Sequence, residues 1–288
     1  MSVHHASVHH ARVPVAAGHS LHVAESGDPS GRPYLFLHGW PESWRTWRDV
    51  MAAAPPEARV IAVDLPGIGE SAGATCGSKR DLASVIHDLV RHLGLDDLTL
   101  VGHDAGGMVA YAYLRRYEAA RVVIMNTAIP GVAPWDAVVA SSAIWHFGLH
   151  AVPRLPETLV RGRQAEYFDH FYDVLSVDPS RITPDARAAH VAAYGTEEAL
   201  TAGFDLYRAF SQDADDNAAP TGTVGTPVLY LRGDGEGGDI TTYAEGLRKA
   251  GVENLTTATI RDAGHFSQEE QPDQVWARIR SFAEATSG

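Results

Sequence analysis

The chain places an aspartate where a strained turn would expose it. Gly102-His103-Asp104-Ala105-Gly106-Gly107 follows directly on the apolar run Leu98-Thr99-Leu100-Val101, and Met108 to Tyr117 reads as a helix. Strand, tight turn, helix is the layout that presents a nucleophile at the end of a sheet, and small residues flank it because the turn brings backbone segments close together. A serine there would attack a carbonyl. A carboxylate instead can displace a leaving group at a saturated carbon and leave an ester on the enzyme. Taken alone, the pattern also suits an Asp that caps the following helix through its first N–H groups.

Two further segments supply what such a nucleophile needs. His38-Gly39-Trp40-Pro41 lies directly after the run Tyr34 to Leu37. Gly39 permits a tight turn, so that the backbone N–H groups of Trp40 and Ala105 can form an oxyanion hole, and Pro41 has no N–H to compete. A Gly-Pro turn beside a core tryptophan is the alternative. Asp262-Ala263-Gly264-His265-Phe266 follows the run Thr256 to Ile260, which puts His265 on a loop at the carboxyl end of a strand, where open α/β sheets bind ligands. Nucleophile first and histidine last is a recurrent chain order, and it singles out His265 from the chain's 15 histidines as the base.

The elements that must position these groups alternate between short β-branched runs and stretches of helical period, the signature of a largely parallel sheet covered by helices. Val13 to Ala16 and Leu21 to Glu25 read as an opening hairpin, followed by strands at Tyr34 to Leu37, Val60 to Asp64, Leu98 to Val101 and Val122 to Met125. Leu82, Val85, Ile86, Leu89, Val90 and Leu93 recur at steps of three and four, one apolar stripe of a helix. From Pro134 to about Pro220 strand-like order disappears, and short helices rich in Trp, Tyr, Phe and His read as an inserted lid. The α/β rhythm then resumes with Pro227 to Leu231, a helix near Tyr243 to Ala250, a strand at Thr256 to Ile260 and a helix carrying Val275, Ile279 and Phe282.

Composition narrows the function classes. The 288 residues are 45% hydrophobic and 20% charged, as in ordinary folded proteins. Lys plus Arg number 23 against 36 Asp plus Glu, a net charge of −13 that disfavours nucleic acid and anionic membranes as partners. The single cysteine, Cys76, excludes an intrachain disulfide and a multi-cysteine zinc site, which fits a reducing cytosol. No secretory signal or membrane span is legible, so a cytoplasmic location is expected. Met1 to His10, with His4, His5, His9 and His10, reads as a mobile polar tail rather than a metal site.

Taken together, HGWPESW at His38 to Trp44, DLPGIGES at Asp64 to Ser71, GHDAGG at Gly102 to Gly107, IMNTAIPG at Ile124 to Gly131, and GH at Gly264 and His265 resemble the α/β-hydrolase superfamily. The resemblance is to its aspartate-nucleophile branch of epoxide hydrolases and dehalogenases, and it covers nearly the whole chain. It implies an α/β fold with a mostly parallel eight-stranded sheet flanked by helices. Residues 1–132 and 221–288 would form the core and 133–220 an inserted helical cap. In part of this family the acid partner follows the sixth strand, where this chain has Asn126; in relatives with Asn there it follows the seventh. Gly233-Asp234-Gly235-Glu236 resembles the family's G-x-x-D pattern and puts Glu236 at that position, with Asp239 the alternative if the Gly237-Gly238 pair extends the loop.

The lid separates the reactions open to this branch. Opening an epoxide creates an alkoxide that needs a proton donor, whereas a departing halide needs only N–H donors. Haloalkane dehalogenases generally carry Trp after the nucleophile, and fluoroacetate dehalogenases carry Arg there with a His-Trp pair in the lid; this chain has Ala105 and His146-Phe147. Trp145-His146-Phe147 and Phe204 to Ala209 instead resemble the lid motifs of Cif-type epoxide hydrolases, which implies His146 and Tyr207 as ring-opening donors. A hydrogen-bonded lid histidine and a helix-packing tyrosine are the alternatives. Trp135, Tyr167, Phe168, Phe171 and Tyr172 have helical spacing and are expected mainly to pack. Ala105, where many relatives have a large aromatic, suggests room for a bulky epoxide.

The reaction expected is hydrolysis of an epoxide to a vicinal diol through an Asp104 ester, with water activated by His265 and no metal or organic cofactor. A dehalogenase on the same scaffold is the alternative, and a catalytically silent ligand-binding hydrolase fold the third reading. The partners expected are a small epoxide and water, with a homodimer the candidate assembly.

Overall fold

The computed structural model describes residues 7–73, 77–219 and 222–286. Cys76, His4, His5 and Pro220 fall outside the described residues. The strands are β1 (His9–Pro14), β2 (Ser20–Gly27), β3 (Pro33–Leu37), β4 (Arg59–Val63), β5 (Thr99–His103), β6 (Arg121–Met125), β7 (Val228–Gly233) and β8 (Leu255–Ile260). They form one eight-stranded sheet in the order β1-β2-β4-β3-β5-β6-β7-β8. β2 runs antiparallel to both β1 and β4, and all pairs from β4 to β8 are parallel. The expected fold class is observed.

β3, β5, β6 and β7 are buried along their whole length, as parallel strands covered on both faces must be. Their side chains alternate between two cores. Leu35 and Leu37 face a core shared with Leu82, Ile86 and Leu89 of α2 (Lys79–Leu93) and with α3 (Ala105–Leu114). Phe36, Val101 and Val123 face a second core with Trp47, Val50 of α1 (Arg48–Ala53), and Trp276 and Ile279 of α13 (Pro272–Ala285).

Between β6 and β7 the chain is helical: α4 (Trp135–Val139), α5 (Trp145–Ala151), α6 (Leu155–Val160), α7 (Gln164–Leu175), α8 (Pro184–Ala193), α9 (Glu197–Arg208) and α10 (Phe210–Ala218). Phe168, Tyr172, Tyr194 and Phe204 of this segment join the first core, so the insertion and sheet share buried surface. α11 (Ile240–Lys249) follows β7, and α12 (Ser267–Glu270) follows β8.

The N-terminal reading needs correction. His9 and His10 are not tail but the first residues of β1, paired with Glu25 and Ala24. Ladder hydrogen bonds use only backbone groups, so the polar, exposed side chains of an edge strand carry little periodic signal.

Candidate active site

From β3 the chain passes to β4 on one side, while β5 lies on the other, so the strand order reverses at the β3/β5 junction. Ligand sites of open α/β sheets form at the carboxyl ends of such a pair. Trp40 follows β3 and Asp104 follows β5 at this place.

Asp104 sits at φ +48°, ψ −119°, a conformation rarely adopted by a residue with a Cβ, between the last residue of β5 and the first of α3. Its neighbours make room. A Cβ on Gly106 would lie 2.4 Å from the Leu37 carbonyl oxygen, and one on Gly102 would lie 2.1 Å from that of Gly106. The Trp40 backbone N–H donates to Asp104 Oδ2 at 2.9 Å. Oδ1 makes no hydrogen bond among the described residues, and Ala105 opens α3 beside it.

His265 Nδ1 lies 2.8 Å from Glu236 Oε1. Asn126 Nδ2 donates to Glu236 Oε2 at 2.8 Å, and Arg232 Nη2 approaches the same oxygen at 3.1 Å. Burial alone would raise the Glu236 carboxyl, but His265, Arg232 and Asn126 outweigh it and hold the group below its ordinary value. Asp239 is placed differently: it is exposed and caps α11 by accepting from the Thr241 N–H at 2.9 Å. The loop of His265 is docked from the insertion, since its N–H donates to the Leu175 carbonyl at 2.8 Å. Glu270 reinforces this by accepting from Gly264 N–H through Oε1 and from Val177 and Asp178 N–H through Oε2.

Beneath the site lies a buried ion pair not anticipated from the sequence. Glu42 Oε2 accepts from His103 Nδ1 at 2.8 Å and from the Gly39 N–H at 3.0 Å, while Oε1 accepts from Thr46 and Gln268. His103 Nε2 donates to the His265 carbonyl at 2.8 Å. Burial opposes charge on His103, but Glu42 overcomes it and the imidazole is raised to about 9. His103 is therefore an imidazolium at neutral pH, and Glu42 is held well below the usual carboxylate range by it.

A cavity of about 600 Å³ spans the space above these groups, within the usual range for small-molecule sites. Asp104, His265, Glu236 and Trp40 lie on its sheet side, and His146, Phe147 and Tyr207 come from the helical segment. Burial first, and then the charge of Asp104, push the Tyr207 phenol well above its ordinary value. Its hydroxyl makes no hydrogen bond among the described residues. Burial, followed by the nearby His265 and His170, lowers His146 to about 3, so it is neutral at physiological pH. Of the other lid aromatics, Trp135 and Phe171 line the cavity. Phe168 packs in the core, Tyr172 donates to the Pro41 carbonyl, and the Tyr167 hydroxyl meets His150 Nε2 at 2.8 Å. Ala105 is buried and not part of the lining; Met108, one turn on, is.

Residues 33–272 match the family model described as alpha/beta hydrolase fold. The chain belongs to the α/β-hydrolase family. This α/β hydrolase is 31% identical over 268 residues to the soluble epoxide hydrolase of Corynebacterium sp. (strain C12), covering 90% of this chain and 91% of that one. The solved structure of the epoxide hydrolase CorEH superposes with a TM-score of 0.87 at 27% identity, covering 97% of this chain and 99% of the other. The Cif epoxide hydrolase from Acinetobacter nosocomialis, at 23% identity and a TM-score of 0.84 over 96% of this chain and 88% of that one, shares the fold.

Arg232 and the Glu42–His103 pair escaped the sequence reading. Arg232 is near the end of a buried strand, where only its contact with Glu236 reveals it. Glu42 and His103 lie inside recognisable motifs, yet a motif does not say that two side chains far apart in sequence will meet.

Proposed function

We propose that this α/β hydrolase is an epoxide hydrolase that works through a covalent ester on Asp104. The observation that carries the reading is a phenol, Tyr207, with no hydrogen bond among the described residues, in the same cavity as Asp104 and within reach of its charge. To expel a halide a carboxylate nucleophile needs only N–H groups around the leaving ion, but to open an epoxide it needs a group that gives up a proton.

Asp104 Oδ1 attacks one epoxide carbon and the C–O bond of the ring breaks. The oxygen released as alkoxide takes the Tyr207 proton and is hydrogen-bonded by the neutral His146 N–H. Burial disfavours tyrosinate, but it disfavours the alkoxide beside it as well, and a phenol is intrinsically the stronger acid of the two. His265, oriented by Glu236, next removes a proton from water, and the oxygen bonds to the Asp104 carboxyl carbon. Trp40 and Ala105 N–H groups hold the oxyanion. On collapse the acyl C–O bond breaks and the diol takes the proton from His265; the Asp104 carboxylic acid left behind gives its proton to solvent while tyrosinate takes one back, which restores both groups. Epoxide plus water gives diol, with one water oxygen left in the carboxylate after the first turnover.

The helical segment acts in this reading as the cap, bringing the donors over the nucleophile. The apolar walls, including Met108, Trp135, Phe147 and Phe171, suit a bulky hydrophobic epoxide. A single turnover in ¹⁸O water with a panel of epoxides and organohalides, followed by mass analysis of the peptide containing residue 104, tests the reading. Label in Asp104 with diol release is expected. Label accompanied by halide release and no diol from any epoxide would select the dehalogenase, and unlabelled Asp104 would remove the ester.

A further inference from the structure

One of the chain's two lysines, Lys79, is buried at the start of α2, far in sequence from every group assigned above. Its ammonium donates to the Leu206 carbonyl, the other half of the peptide unit that carries the Tyr207 N–H. It also approaches Asp213 Oδ2 at 2.9 Å and the Gly77 carbonyl at 3.3 Å, and it lies 4.6 Å from the centre of the Phe210 ring. The Lys79 N–H donates to Asp213 Oδ1 at 2.8 Å.

These contacts meet at a break in the insertion. α9 ends at Arg208 and α10 begins at Phe210, with Ala209 between them. A helix leaves its last carbonyls without intrahelical partners and its carboxyl end partly negative, so a cation there both satisfies a carbonyl and complements the dipole. Asp213, in the first turn of α10, supplies the counter-charge. The loop before Lys79 fits closely as well: Gly77 has φ +69°, and a Cβ on it would lie 2.0 Å from the Asp205 carbonyl oxygen. Phe210 packs edge-on against Tyr207 with ring centres 5.2 Å apart.

We propose that Lys79 is a positioning residue for ring opening, gripping the Leu206–Tyr207 peptide and the Phe210 ring so that the Tyr207 hydroxyl is held over Asp104. The role rests on the epoxide hydrolase reading and deepens it. Lys79 does not line the cavity, and the contacts named above lead to the Leu206–Tyr207 peptide and Phe210, so it bears on the step that uses Tyr207 and not on the step that uses water. A donor displaced by even about 1 Å can cost up to 10²-fold in rate.

The test replaces both halves of the buried pair, Lys79→Met with Asp213→Leu, because removing only one would leave an unpaired buried charge. With styrene oxide as the probe, pre-steady-state mass measurements follow formation and loss of the Asp104 ester. The folded double variant is expected to form the ester about tenfold more slowly while losing it within about twofold of the wild-type rate. In a Tyr207→Phe background the same two changes should have less than about a twofold further effect on ester formation, because residues acting through one another are not additive. Wild-type ester formation in the double variant, or an equal slowing in the Tyr207→Phe background, would overturn the role of Lys79 alone. No ester in the wild type with any epoxide of the panel would overturn the epoxide reading and this proposal together. If the double variant does not fold, Lys79→Gln with Asp213→Asn, which keeps hydrogen-bonding groups at both positions and leaves no unpaired charge, carries the same comparison with an expected loss of about threefold in ester formation; no loss would likewise overturn the role.

Discussion

At the scale of single residues, the proposed reaction divides the site into groups that would make the ester and groups that would remove it. Asp104→Ala should abolish turnover. His265→Gln should still be alkylated and then stall, visible in intact-protein mass as a gain equal to the substrate; rapid steady-state turnover in that variant would exclude His265 as the base. Tyr207→Phe is expected to slow ring opening by about 10²-fold, the scale of a positioned proton donor, while leaving ester hydrolysis little changed. An unaltered opening rate would make Tyr207 a packing residue. The neutral state of His146, lowered to about 3 by burial and then by His265 and His170, means that its own protonation does not shape the rate between pH 5 and 8. A wild-type acidic limb in that range should therefore persist in His146→Asn.

At the scale of elements, the decisive constraint is the close approach of β3 and the β5–α3 turn. A methyl group on Gly106 would meet both Leu37 and His38 carbonyl oxygens, at 2.4 and 2.6 Å. Gly106→Ala should cost about 1–3 kcal/mol in urea unfolding and lose most activity, because relief requires the turn that carries Asp104 to move off β3. Normal stability and turnover would show that the turn has slack. The strands of this sheet were legible because β3, β5, β6 and β7 are short, apolar and bounded by turn residues. The motif order led from Asp104 to His265, and the Gly-rich loop after β7 pointed to Glu236. Asp239 stood as the alternative if the Gly237-Gly238 pair extended the loop; the way the loop folds makes it cap α11 while Glu236 meets His265. β1 was misjudged at His9 and His10 because edge pairing leaves no periodic trace, and Lys79 stood unnoticed because nothing local marks a cation that will cap a helix more than a hundred residues away.

At the scale of the whole molecule, stability should peak near pH 6.5. His103, raised to about 9 by Glu42 against the opposing effect of burial, stabilises the fold fully below its unfolded value of 6.5, and that contribution is lost as pH rises toward 9. Glu42, held low by His103 despite burial, contributes above its unfolded value of 4.5 and loses this as acid protonates it. His146 and His150, lowered chiefly by burial to about 3 and about 2, take up protons only when unfolded, so stability also falls as pH drops below 6.5. Melting temperature measured from pH 4 to pH 10 should trace this maximum, and replacing His103 with Gln should remove much of the alkaline decline. A melting temperature that keeps rising from pH 7 to pH 9 would contradict the charged His103–Glu42 pair. The docking of the His265 loop on the Leu175 carbonyl, together with the Glu270 carboxylate that ties Gly264 to Val177 and Asp178, has an engineering corollary. Chimeras that transplant a foreign helical segment onto this scaffold to change selectivity must carry a compatible 175–178 junction, or, on the proposed mechanism, the graft will disable water activation even when every imported substrate contact is correct.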